Sequence, residues 1–365
     1  VTLRTFTRRE IAAALDVLAR PFAALQPGVP NFDKALGCSV TIAGLLGGGL
    51  VSGHATVGAI ACGGAFTVGS GAYQSFAHAH RGPMLAATIG IGLSTAVGTL
   101  AGVSPPALAA ALLLWGLAAG LAAAAGPAAQ WIGQQCVIYL AIAAAFPGAS
   151  PHAMQRSLLV VLGGLAQWLV LEIIDRFATT RADLAAWQAA EADLKRALRD
   201  VRASLEWQAP HMQFALRLGG ALLAASVIAH WSKLHNGYWI PMTTVILLRQ
   251  DFRSTWQRGV VRIGGTVAGV LLASLVEFWL RPGPPALAAL AVGFAFLAIA
   301  FQPVLYGIFV GWLSAYIVFL LVFGGLIAPV VVENRIASTA IGAALAVAAH
   351  VHFHLGQLRQ AQAET

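Results

Sequence analysis

The sequence predicts an all-α polytopic membrane protein: about twelve transmembrane helices in two pseudo-repeated six-helix halves, joined by a short cytoplasmic amphipathic helix. Three observations predict it. The 365 residues are 58% hydrophobic and 10% charged, against about 25% charged in a soluble domain. Apolar runs of roughly 20 residues recur, the length a helix needs to cross a hydrocarbon core. The Lys and Arg residues collect in alternate connections between those runs, as the positive-inside rule requires of cytoplasmic loops.

The chain divides accordingly. Residues 1–33 read as a cytoplasmic amphipathic segment, because Arg4 to Arg20 includes Arg8, Arg9, Glu10 and Asp16 and lacks the apolar region of a signal peptide. A first membrane half, 34–174, holds apolar segments at 35–51, 54–72, 83–103, 105–125, 130–146 and 154–174. In the linker, 175–212, Leu184, Trp187, Ala190, Leu194, Leu198, Val201 and Leu205 recur at three or four residues among charges. This spacing predicts one amphipathic helix, which either covers the surface between the halves or makes a dimer contact. The second half, 213–355, holds segments at 214–231, 236–249, 259–280, 285–302, 304–325 and 336–354, and a cytoplasmic tail follows at 356–365. Segments two and eight are short and polar for their depth, so they are candidates for broken helices covered by protein.

An inside N-terminus puts fourteen cations, among them Arg81, Arg176, Arg253 and Arg258, on the inner side and leaves only Arg156, Lys233, Arg281 and Arg335 outside. Both termini and the linker are then cytoplasmic, in a multi-pass protein of the bacterial inner membrane. The net charge of +8 is thereby used in topology and in contact with anionic lipid, which leaves no case for nucleic acid. Cys38, Cys62 and Cys136 lie in apolar context and form no CxxC pair, so they read as buried thiols.

The halves echo one another. Lys34 opens segment one as Arg217 opens segment seven, and Ser52-Gly53-His54 stands where Asn236-Gly237-Tyr238 stands in the second half. Arg81-Gly82 parallels Arg258-Gly259, and Thr88 parallels Thr266. A six-span repeat in one orientation implies a pseudo-two-fold axis along the membrane normal, and such folds place substrate sites near the midplane between repeats.

Candidate chemistry concentrates in 235–266. Arg262 follows Arg258 by one turn, so both point the same way, and a guanidinium binds a carboxylate in bidentate fashion at any working pH. The alternative is a pair of anchors that snorkel to lipid phosphate. Gly264 and Gly265 admit a close helix neighbour, and Thr266 offers a hydroxyl. Tyr238 and Trp239 are either an interfacial belt or a wall for an aromatic ring, with Pro241 opening the helix and Thr243 and Thr244 supplying hydroxyls. Arg249, Asp251 and Arg253 form a charge cluster at the inner end of segment eight: an ion-pair cap shared with Arg258, or a gate. Glu277, Glu172, Glu333 and His54 are the titratable candidates for proton coupling, each with a structural pairing as its alternative. The His350, His352, His354 series places only two rings on one helical face, so no metal is expected. No Walker motif or nucleophile–base set occurs, so neither a cofactor nor an enzymatic reaction is expected.

Gly237-Tyr238-Trp239, Thr243, Arg249-Gln250-Asp251, Thr255, Arg258, Arg262, Gly264-Gly265-Thr266, Gly269 and Glu333-Asn334-Arg335 with Thr339 and Gly342 carry a resemblance. Over roughly 213–350 the chain resembles the fusaric-acid-resistance family, also called aromatic acid exporters, and is distantly similar to plant aluminium-activated malate channels. The first half fits as a degenerate copy, with His54 in place of the aromatic pair. The resemblance implies export of aromatic or lipophilic carboxylic acids, or an organic-anion channel; the proton gradient is the expected driving force, and an accessory membrane protein is a further alternative. The implied substrate site is Arg262, Arg258, Tyr238, Trp239, Thr243 and Thr266. Membrane lipid, a second copy of the chain and a periplasmic accessory protein are the partners this reading accommodates.

Overall fold

The computed structural model describes residues 28–73, 81–178, 199–203, 205–206, 209–234, 236–327, 332 and 335–363, with side chains described throughout except at Arg81, 175–178, 252–253 and 353–363. The expected N-terminal amphipathic segment, most of the linker helix, Glu333 and the side chain of Arg253 therefore lie outside the described residues.

Within them there is no strand, and twelve helices follow one another in two sets of six. The first set is α1 (Phe32–Val51), α2 (Ala55–Ser70), α3 (Arg81–Ala101), α4 (Pro105–Ala122), α5 (Pro127–Ala144) and α6 (Ser150–Ala178). The second is α7 (Pro210–Ser232), α8 (Trp239–Leu247), α9 (Phe252–Leu280), α10 (Pro284–Phe301), α11 (Tyr306–Phe323) and α12 (Arg335–Ala363). Nine of them are long and apolar enough to cross a membrane, all but α5, α8 and α12. The protein is an all-α, multi-pass membrane protein.

Local chemistry sets the helix starts. Prolines open α4, α5, α7 and α10, where a missing N–H costs nothing. The Asn31 side chain accepts from the Lys34 amide at 3.0 Å and caps α1. Asp251 caps α9 by accepting from the Ser254 amide at 2.7 Å and from its hydroxyl at 2.6 Å. This cap begins α9 seven residues before the expected 259, because the polar turn 252–258 continues the helix rather than preceding it.

Helix packing repeats between the sets. α1 packs on α2, α2 on α6, α3 on both α5 and α6, and α4 on α5. The corresponding pairs α7–α8, α8–α12, α9–α11, α9–α12 and α10–α11 all recur. Across the seam α4 packs on α7 as α10 packs on α1, and α5 on α8 as α11 on α2. Small residues make this possible. Gly98 and Gly102 lie against the backbone of α5 at Leu140 and Ala144, and Gly265 and Gly269 lie against α11 at Gly307 and Gly311. A side chain at any of the four would meet a carbonyl. Gly264 faces open space, so of the adjacent pair only Gly265 serves the contact.

α2 and α8 occupy equivalent central places. α2 continues as a 3-10 turn over Gly71–Tyr73 and is an unbroken span. α8 has nine residues, all buried. At 1.5 Å per residue it rises only about 14 Å, roughly half a hydrocarbon core. It is a half-length helix enclosed by α5, α7, α9 and α12. Pro241 lies in its first turn and opens nothing there. The amides of Trp239, Ile240 and Met242 are taken by the carbonyls of Asn236, Gly237 and Tyr238. The turn before α8 uses a left-handed Asn236 (φ 61°), and the equivalent turn before α2 uses Gly53 (φ 71°).

Candidate functional site

The short α8 leaves its first residues deep in the bundle, and the polar side chains of α9 and α12 meet it there. Arg262 stands ten residues into α9, about 15 Å of helical rise, and is 6% exposed. Its Nη1 donates to the Tyr306 hydroxyl at 3.4 Å, and its Nε has no hydrogen-bond partner. Arg258, one turn earlier and half-buried, lies over the ring of the same tyrosine at 5.2 Å. The expectation that the two arginines point the same way is thus met at Tyr306, a residue the sequence did not single out. At 6% exposure Arg262 is enclosed by protein, where a snorkelling side chain would reach the surface.

A second arginine is buried in the same half. Arg335, the first residue of α12, is 3% exposed and lies over the ring of Trp239 at 4.0 Å. Its Nη2 donates to the Ser314 hydroxyl of α11 at 3.4 Å, while Nε and Nη1 have no partner. The charge bias placed Arg335 in an outer loop; the structure buries it, because Trp239 at the head of the half-length α8 offers an aromatic face inside the bundle. Trp239 itself is 2% exposed, and the Tyr238 ring lies 5.0 Å from it. These two aromatics line the interior rather than an interfacial belt.

Hydroxyls complete the stripe. Arg335, Ser338, Thr339 and Gly342 follow a three-and-four spacing on the buried face of α12. The bare Gly342 lets α8 approach, with Ile240 and Thr243 against it. Thr244 donates to the carbonyls of Ile240 and Gly342. Thr243 Oγ and Ser338 Oγ are buried without partners. Thr266 is 3% exposed on the same face of α9 as Arg262, one turn on. The group between α8, α9, α11 and α12 is rich in donors, carries two buried positive charges, and among the described residues contains no ion pair for either.

Residues 223–349 match the family model described as fusaric acid resistance protein-like. That stretch is about a third of the chain, and it is similar to the family over those residues. The match contains every member of the polar group just described. Relatives agree over shorter stretches: an uncharacterized protein, ORF2, of Neisseria gonorrhoeae is 32% identical over 85 residues, 23% of this chain and 20% of that one. The uncharacterized membrane protein YvaC of Bacillus subtilis is 33% identical over 84 residues, 23% of this chain and 13% of that one. The uncharacterized protein slr1298 of Synechocystis is 35% identical over 66 residues, 18% of this chain and 9% of that one. The alignments thus span a fifth or less of each relative's length. No solved structure matches.

The matched stretch also carries the charge cluster, which the structure resolves into separate contacts. The Asp251 carboxylate is engaged by Ser254 as the α9 cap. Burial alone would raise its pKa, but the hydrogen bonds from the Ser254 hydroxyl and amide together outweigh that and hold it below the ordinary value. Arg249 reaches across the seam instead, donating to Gln134 of α5 at 3.1 Å, and its amide donates to the Thr255 hydroxyl at 3.0 Å. Arg217 donates to the carbonyls of Arg249 and Gln250 at 3.2 and 3.0 Å. In the first half Lys34 donates to the carbonyl of Ala72 at 3.1 Å. The two cations that open the halves hold equivalent carbonyl ends, as their matching positions in the repeat suggest.

The titratable candidates are scattered. Glu277 lies half-buried on α9 with one carboxylate oxygen lacking a hydrogen bond, and Glu172 is 8% exposed on α6. His54 is exposed at the head of α2, its Nδ1 2.7 Å from the Ser52 carbonyl oxygen. None of these three is placed in the arginine group.

Proposed function

We propose that this chain is a secondary transporter that exports aromatic or lipophilic carboxylic acids across the bacterial inner membrane, with protons as the coupling ion. The observation that carries the reading is Arg262: a guanidinium 6% exposed, about 15 Å into a spanning helix, with an unpartnered Nε. A lone cation held there is costly unless it meets an anion during the working cycle. Tyr238, Trp239, Thr243 and Thr266 supply apolar area and hydroxyls around it, and Arg258 with Tyr306 marks the way in from the side of the charge-rich loops. The fusaric acid resistance protein-like match supports the same class of substrate. Glu277, which leaves a carboxylate oxygen without a hydrogen bond on α9, is the first candidate to carry the proton.

The test is release of a labelled hydroxybenzoate from proteoliposomes with and without an imposed pH gradient, with Arg262→Ala as control. Release that requires both the gradient and Arg262 supports proton-coupled export. Release indifferent to the gradient and steep in voltage identifies an anion channel instead. Normal release by the folded alanine variant removes Arg262 from the site.

A further inference from the structure

We infer that a small cavity where α5 and α8 meet across the seam binds one monatomic, monovalent anion, with the chemistry of chloride. Arg249 of the second half and Gln134 of the first half are its ligands. The site is separate from Arg262 and does not rest on the export reading.

The cavity measures about 10 Å³, room for one particle the size of a water molecule. Its polar lining is Arg249, Gln130 and Gln134, and the rest of its wall is apolar, from α4, α7 and the end of α8. Gln130 and Gln134 stand one turn apart on α5 and so share a face. Close packing fixes the wall. Gly133 lies against Ala119 and brings α5 onto α4, while Gly116 and Gly120 lie against Gly219 and Ala215 and bring α4 onto α7.

The hydrogen bonds decide what the cavity offers. Arg249 Nη2 donates to Gln134 Oε1 at 3.1 Å. A guanidinium has donors and no acceptor, so this bond orients the amide: its oxygen is engaged and its NH2 is left to donate. Arg249 Nε is buried and has no hydrogen-bond partner among the described residues. The Arg249 backbone is held on both sides. Its amide donates to the Thr255 hydroxyl at 3.0 Å, and its carbonyl accepts from Arg217 at 3.2 Å. Asp251, two residues on, turns its carboxylate to the Ser254 amide and hydroxyl.

The cavity thus meets a cation and an amide turned to donate, inside an otherwise apolar wall. A water there would bring two protons of its own to groups that are already donors. A halide brings none, accepts from each donor, and answers the guanidinium charge. Its ligands come from both halves, so the bound ion ties α5 to the end of α8.

The experiment follows the thermal melt of the full chain purified in detergent, at one ionic strength, as sodium gluconate is replaced stepwise by sodium chloride or sodium bromide. Wild type, Gln134→Glu, Arg249→Gln and Arg262→Ala are compared. The expected result is a wild-type melting temperature that rises and saturates with chloride and with bromide, as binding to the folded state requires. Gluconate is too large for the cavity. Gln134→Glu sets a carboxylate on the guanidinium and should lose the halide response. Arg249→Gln removes the charge and should lose it as well, whereas Arg262→Ala should keep it. A wild-type melt that is the same in chloride and gluconate overturns the site and leaves the cavity to water. A halide shift undiminished in folded Gln134→Glu also overturns it. So does a shift that Arg262→Ala alone removes, which would put the anion at Arg262. If Arg249→Gln does not fold, Gln134→Glu carries the comparison.

Discussion

The Trp239 ring lies under the Arg335 guanidinium. Removing the ring by Trp239→Leu should weaken benzoate binding, while Trp239→Phe, which keeps an aromatic face, should restore most of it. A purely packing role would instead lower the melting temperature of both without changing affinity in the folded fraction. Asp251 gives a cleaner stability prediction. Its Ser254 bonds cap α9, so Asp251→Ala should cost about 1 kcal/mol, read as a lower melting temperature at pH 7. Its folded pKa is depressed. The stabilisation is therefore fully present above the unfolded-chain value of about 3.9 and is lost as the pH falls through the folded value. The gap between wild type and Asp251→Ala should close on acidification, and a gap that widens would contradict the assignment. Arg258 and Arg262 could be paired from sequence because one helical turn separates them. Tyr306 and Ser314 could not, since each meets its arginine from another helix and neither belongs to a local pattern.

The contacts of α9 sort its adjacent glycines by what each faces. Gly265 and Gly269 lie on the α11 backbone, so Gly265→Val or Gly269→Val should destabilise by roughly 1–3 kcal/mol through overpacking. Gly264 faces open space, and Gly264→Ala should be neutral or stabilising by up to about 1 kcal/mol from helix propensity. Melts of the three variants in one detergent check this, and an equally damaging Gly264→Ala would contradict the assigned faces. Most helix positions were legible as apolar runs with proline starts. The shortness of segment eight was legible too, but not where it starts and stops. Only the turn at Asn236 and the extended Leu248, whose backbone has ψ 115°, cut it to nine residues. That shortening brings Trp239 to the depth at which Arg335 finds it.

Among the described residues, the main helix pairs of the first half have counterparts in the second, yet the two polar centres differ. Where α9 and α12 bring buried arginines, α3 and α6 bring Thr88 and Gln167, both fully buried and neutral. A proton-coupled cycle should lose gradient-driven export, but retain exchange of labelled for unlabelled acid, in Glu277→Gln if that carboxylate carries the proton. Loss of both would place Glu277 in binding, and loss of neither would exclude it from coupling. The sequence by itself determined the membrane class and the all-α fold, because a bilayer imposes span length and apolarity locally; it expected about twelve spans, whereas nine helices among the described residues are long and apolar enough to cross. It also determined that 235–266 is chemically unusual, since cations and hydroxyls near membrane depth stand out against an apolar background. Only the tertiary structure decided which of those groups meet. Arg335 lies more than seventy residues from Arg262 at the start of another helix, and its burial depends on a half-length α8, a bare Gly342 and the face of Trp239. Such coincidences of packing leave no period in the chain, because the groups that satisfy one another in three dimensions need not be neighbours in one.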